Sequence, residues 1–222
     1  MRPRVLFVAG ASGAVGRALM RIARARGISV VPHFRPHRTR AGEAPPGAVS
    51  FDLNEERWLD QALAGCTTVV QLVGTTRARF ASGDTYESSD VGTTRVLAES
   101  AKRSGVDHFV LLSSAGAGRP IGAYLRAKAR AEALVAESGL PHTVFRPSAF
   151  VGEGREAPPG TGLVARLPGL GWLRPVPVET LARGILWVAE RREPLGVLEG
   201  ASLWAVLEGA AQRFAHQKTS VQ

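Results

Sequence analysis

Tyr124 and Lys128, in the stretch YLRAK, stand four residues apart. On a helix that spacing puts both side chains on one face. A free tyrosine is a poor acid or base at neutral pH; an ammonium beside it favours the phenolate and makes it a usable proton donor. Ser113 and Ser114 lie about ten residues earlier, at the end of the apolar run HFVLL. A hydroxyl from Ser114 (or Ser113) would hydrogen-bond a substrate carbonyl beside the phenol. The three side chains would then form a proton relay. The bland alternative for the tyrosine and lysine is an exposed i,i+4 contact with no chemistry.

A second group of residues points to the same chemistry. VAGASGAVGR, Val8 to Arg17, carries Gly10, Gly13 and Gly16 directly after an apolar run and opens a helical pattern. In that context the first glycine allows a tight turn, the second lets a pyrophosphate approach the backbone, and the third lets helix and strand pack closely. The free N–H groups and positive dipole end of the helix favour an anion. Gly10, Ser12, Gly13, Ala14, Val15 and Gly16 are therefore expected cofactor contacts. An NAD site usually adds an acid at the end of the second strand, about 20 residues on. Here that position reads FRPHR and holds no acid. Arg35 and Arg38 would instead grip a 2′-phosphate, which favours NADP(H) over NAD(H). The alternative is that both belong to the general arginine excess. Asp52 and Leu53, in SFDL, would reach the adenine; a capping or surface role for Asp52 is the competing reading.

Elements that could hold these residues follow from the alternation of patterns. RVLFVAG reads as a buried strand and AVGRALMRIARARG as a helix closed by Gly27. ISVVPHFR is a second strand, with Pro32 arguing for a place near an edge or a bulge. AVSFDL, TTVVQLVG, HFVLLSS and HTVFRPS are further strands. NEERWLDQALAG, with Asn54 as its cap, DVGTTRVLAESAKRSG and YLRAKARAEALVAESG are the helices between them. Such alternation predicts βαβ units with right-handed crossovers. The expected fold is a Rossmann-type, doubly wound parallel sheet, three layers α/β/α, with a small C-terminal elaboration. Residues 150–222 would add the substrate side to a single nucleotide-binding domain. They comprise a Gly- and Pro-rich excursion, the helices TLARGILWVAERR and ASLWAVLEGAAQRFA, and a frayed polar tail. The four tryptophans, Trp58, Trp172, Trp187 and Trp204, are expected to pack.

The chain has 222 residues, a net charge of +9 and three lysines, Lys102, Lys128 and Lys218. Its arginines are scattered, with no aromatic–basic motif of the RNA-binding kind, so no nucleic acid is expected. No apolar run approaches the roughly 20 residues that span a bilayer, and the N-terminal run is too short for a signal peptide. Cys66 is the only cysteine. It excludes an internal disulfide and fits a reducing, cytoplasmic setting. The five histidines are too dispersed for a metal site.

With these motifs the chain resembles the short-chain dehydrogenase/reductases, of the extended or atypical branch. More narrowly, LVGTTRARF, HFVLLSSAGA, YLRAKARAE, VFRPS and PVPVETLARGIL resemble the Tat-interacting oxidoreductase-like proteins. The resemblance runs from about Arg4 to Leu207. It implies NADPH binding, with Tyr124 as proton donor, Lys128 as its partner and ribose anchor, and the serine as carbonyl polariser. It also implies that Gly74, Thr75, Thr76 and Arg146 lie along the cofactor. Asp90 departs from the pattern, standing near where extended members often carry Asn. The function expected is reduction of a small-molecule carbonyl by an NADP(H)-dependent enzyme. The alternative is an NADPH-binding sensor that signals to a protein partner with little turnover. A homo-oligomer is compatible with either.

Overall fold

β1 (Val5–Ala9) is apolar throughout and buried from Leu6 onward, so it runs through the middle of the molecule rather than along a surface. The computed structural model describes residues 3–36, 45, 47–74, 85–152 and 174–219. Around β1 these residues build a seven-stranded parallel sheet. Its members are β2 (Ser29–Phe34), β3 (Val49–Ser50), β4 (Thr68–Gln71), β5 (His108–Leu112), β6 (His142–Arg146) and β9 (Gly196–Glu199), in the order β3-β2-β1-β4-β5-β6-β9. β7 (Phe150–Val151) and β8 (Val176–Pro177) pair separately. Helices cover both faces. α1 (Ala14–Ala25), α5 (Val178–Arg191) and α6 (Ala201–Thr219) share one core cluster. α2 (Glu56–Leu63), α3 (Thr93–Arg103) and α4 (Gly122–Glu137) share the other. This is the doubly wound Rossmann arrangement that the alternating pattern predicts.

Pro32 sits opposite Val8 of β1, and β3 pairs only with His33 and Phe34. Up to Pro32, then, β2 has a partner on one side alone, which is where proline is tolerated.

Several elements differ from the sequence expectation. The third strand is only Val49–Ser50, and Asn54 does not cap α2. Its backbone N–H and its side-chain amide both donate to Asp52 Oδ1 instead. A π-helical turn, Glu87–Gly92, precedes α3 and buries Ser89, Asp90 and Val91. β9 has no strand signal in the sequence. It is four residues long, at the sheet edge, with Val197 exposed, and its pairing with β6 alone makes it a strand. α6 continues to Thr219, into the tail expected to fray. Trp58 is half exposed, whereas Trp187 and Trp204 pack on the core; Trp172 lies outside the described residues. Cys66 is buried, and burial pushes its thiol up to about 11, as suits a core residue.

Candidate functional site

A cleft of about 350 Å³ opens along the C-terminal ends of the strands. It lies across the point between β1 and β4 where the strand order reverses, the usual ligand position in an open α/β sheet.

The glycine turn forms one wall. Gly10 has φ +89°, a conformation unfavourable for a residue with a Cβ. A Cβ there would also stand 2.9 Å from the Leu72 carbonyl carbon. At Gly16 a Cβ would come to 2.3 Å from the Gly10 carbonyl oxygen, so turn and helix touch backbone to backbone. Gly13 is different. A Cβ there would meet only that same oxygen, at 3.3 Å, and the residue is exposed to the cleft. Gly13 is also the N-cap of α1, with no capping side chain and no acid in the first helical turn. The first-turn N–H groups and the dipole are left for an anion. Ser12, Ala14 and Val15 complete this wall. The cradle fits a dinucleotide pyrophosphate.

Beyond it, Arg35, His33 and Leu53 line one end of the cleft. His33 Nε2 donates to the Phe51 carbonyl at 2.8 Å, and its ring meets the Phe51 ring edge-on. Burial holds this histidine below its ordinary pKa; Arg35 adds to the effect, while the Phe51 hydrogen bond and Asp52 oppose it. Asp52 itself does not line the cleft. It is exposed, with Oδ1 accepting two bonds from Asn54, both at 2.9 Å. These bonds fit the turn-stabilising reading of this residue. Arg38, Thr75 and Thr76 lie outside the described residues.

Ser113, Ser114, Tyr124 and Lys128 come together at the cleft, with Gly74 facing them from the end of β4. β5 ends at Leu112, so both serines follow it into the cleft wall. Ser113 Oγ donates to the buried Glu132 carboxylate. Among the described residues, Ser114 Oγ has only a 3.4 Å contact to the Ala115 carbonyl, so it is the less committed hydroxyl. Lys128 is buried on α4; its Nζ donates to the Leu112 carbonyl at 3.1 Å and lies 2.8 Å from Asp90 Oδ1. The Tyr124 ring centroid is 6.0 Å from Nζ and 5.4 Å from the Tyr86 ring. Such an arrangement can pass a proton to a carbonyl oxygen.

Arg146 is placed differently from expectation. It does not line the cleft, where Pro147 to Phe150 take the wall. Its Nε donates to Glu132 Oε1 and its Nη1 to Glu199 Oε2, each at 2.9 Å. These partners, Glu132 first, hold its pKa above the ordinary value against the effect of burial. Its guanidinium is engaged by two carboxylates.

Sequence reasoning did not single out His33, Tyr86 or Glu132. Glu132 carried a signal: it follows Lys128 by four residues, as Lys128 follows Tyr124. No spacing rule links Tyr86 or His33 to the site, because tertiary packing alone brings them there.

Residues 10–173 match the family described as NAD(P)H-binding. The chain is similar to Protein HTATIP2 of Rattus norvegicus, 30% identical over 197 residues, covering 84% of this chain and 81% of that protein. It is also similar to Protein FMP52, mitochondrial, of Debaryomyces hansenii, 29% identical over 153 residues, 66% of this chain and 67% of that one. Among solved structures, the Bordetella bronchiseptica enzyme WbmH in complex with NAD+ superposes with a TM-score of 0.68 at 18% identity, over 88% of this chain and 75% of that one. UDP-glucose 4-epimerase of Brucella ovis in complex with NAD gives 0.65 at 15% identity, over 87% and 76%. At such identities these two structures speak for the fold. With the glycine cradle at the switch point and the match over most of its length, the chain belongs to the NAD(P)H-binding family, as an HTATIP2-like protein.

Proposed function

We propose that the protein is an NADP(H)-dependent oxidoreductase that reduces the carbonyl of a small molecule. The observation that carries this reading is the convergence of Ser114, Tyr124 and Lys128 on the cleft that the glycine cradle opens. The cofactor, when bound, supplies the hydride to the carbonyl carbon. The Ser114 hydroxyl donates a hydrogen bond to the carbonyl oxygen and orients it. The Tyr124 hydroxyl gives its proton to that oxygen as negative charge develops there. Lys128, one turn along the same helix face, keeps a positive charge near the phenol and a donor towards the cofactor ribose. Gly13 and the α1 N-terminus hold the pyrophosphate. Arg35 supports a preference for the 2′-phosphorylated cofactor, since guanidinium pairs with phosphate in a bidentate way.

The test is NADPH oxidation by the purified protein against a panel of small aldehydes, ketones and quinones. Turnover is expected with at least one class. Tyr124→Phe keeps the ring and should lower kcat by roughly 10²–10⁴-fold with cofactor affinity unchanged. NADPH binding without turnover on any compound would favour the sensor reading instead. Turnover undiminished in Tyr124→Phe would rule out the relay.

A further inference from the structure

Asp90 has no part in the relay just described, yet it stands directly behind it. Its side chain is 1% exposed, and Oδ1 lies 2.8 Å from Lys128 Nζ, whose own side chain is 8% exposed. The π-helical turn Glu87–Gly92 sets it there. Thr94 Oγ1 donates to the Asp90 carbonyl at 2.6 Å and accepts from Gln71 Nε2 at 3.3 Å, while Gln71 Oε1 accepts from the Val73 N–H. These bonds tie the turn to the end of β4. Gly74 then lies against the ion pair: a Cβ there would stand 3.1 Å from Asp90 Oδ1 and 3.3 Å from Lys128 Nζ. The floor of the cleft beside Tyr124 is therefore a cation with its counter-charge built in underneath.

That counter-charge matters for one ligand property above others. The two oxidation states of a nicotinamide cofactor differ at the ring by one positive charge, carried by the oxidised form. A bare ammonium at the cleft floor would disfavour the oxidised ring; an ammonium paired with a buried carboxylate is close to neutral towards it. We propose that Asp90 is a positioning residue that holds Lys128 and offsets its charge towards the nicotinamide ring, so that the site retains oxidised and reduced cofactor with comparable affinity. This rests on the dinucleotide reading of the cleft. Its consequence is that the protein exchanges cofactor in either direction of the reaction without an electrostatic bias from its own lysine.

The experiment is a calorimetric titration of NADPH and of NADP+ into wild type, Asp90→Asn and Lys128→Met, in one buffer and at one ionic strength. The readout is the ratio of the two dissociation constants, which requires no substrate. Asp90→Asn leaves an uncompensated cation, and the ratio Kd(NADP+)/Kd(NADPH) should rise on the order of tenfold. Lys128→Met removes the cation and keeps the Asp90 carboxylate, and the ratio should move the opposite way even as both affinities fall. A folded Asp90→Asn protein with an unchanged ratio overturns the role of Asp90. If Asp90→Asn does not fold, Lys128→Met decides: a ratio that stays put or rises overturns it. A wild-type protein that binds neither form overturns the dinucleotide reading instead, so the two failures are distinct.

Discussion

Arg35 stands just past the end of β2, on the cleft wall, where an NAD site would carry an acid. The preference proposed for NADP(H) is therefore a single-residue matter among the described residues. Arg35→Ala should weaken NADPH by roughly 1.5–3 kcal/mol, about one to two orders of magnitude, and leave NADH nearly unchanged. Fluorescence titration of both cofactors measures this, and equal losses for the two would contradict it. At the same scale, the residue types of the relay were legible: a Tyr–Lys spacing of four and two serines at a strand end. What was not legible was the division of labour between the serines. Glu132 engages Ser113, while Ser114 meets the Ala115 carbonyl at 3.4 Å; both line the cleft.

Among elements, the ends of β5, β6 and β9 are joined to α4 by one charged cluster. Glu132 on α4 takes Ser113 and Arg146; Glu199 on β9 takes Arg146 and the Gly116 backbone N–H at 3.1 Å. Arg146 and Glu132 are largely buried, with side-chain exposures of 14% and 10%. Removing one partner of such a pair leaves uncompensated charge inside. Arg146→Met should therefore destabilise the fold by roughly 3–5 kcal/mol, read by urea denaturation. The cluster gives an arginine assigned to the cofactor by family resemblance an architectural role. The sequence pattern marked β6 as a strand; which way its last side chain turns depends on β9, a strand that periodicity did not reveal.

For the whole molecule, buried histidines make stability depend on pH. His108 is fully buried, with Nε2 bonded to Thr143 Oγ1 at 3.0 Å. Burial, with a smaller contribution from His142, lowers its pKa from 6.5 to about 4. His33 is lowered as well, again chiefly by burial. An unfolded chain takes up these protons below pH 6.5 while the folded one does not. The associated stability is thus present above pH 6.5 and lost as pH falls towards about 4. For His108 the loss amounts to about 3 kcal/mol over that range. Denaturation curves between pH 7.5 and pH 4 should show this decline, and His108→Gln should flatten most of it.

What the sequence determined by itself is whatever rests on local rules. Apolar runs of four to six residues alternating with amphipathic stretches specify parallel strands and crossover helices. A glycine trio between the first strand and helix specifies a backbone anion cradle, because only glycine permits the turn at Gly10 and the contact at Gly16. A four-residue spacing specifies a shared helix face for Tyr124 and Lys128. The tertiary structure decided everything that depends on what lies opposite. Asn54 turns to Asp52 rather than capping the helix. β9 is a strand because β6 offers it a ladder of backbone groups. Asp90 sits beneath Lys128 because a π-helical turn and the end of β4 bring it there. Side-chain partners far apart in the chain are selected by packing and charge compensation, and neither leaves a periodic mark in the sequence.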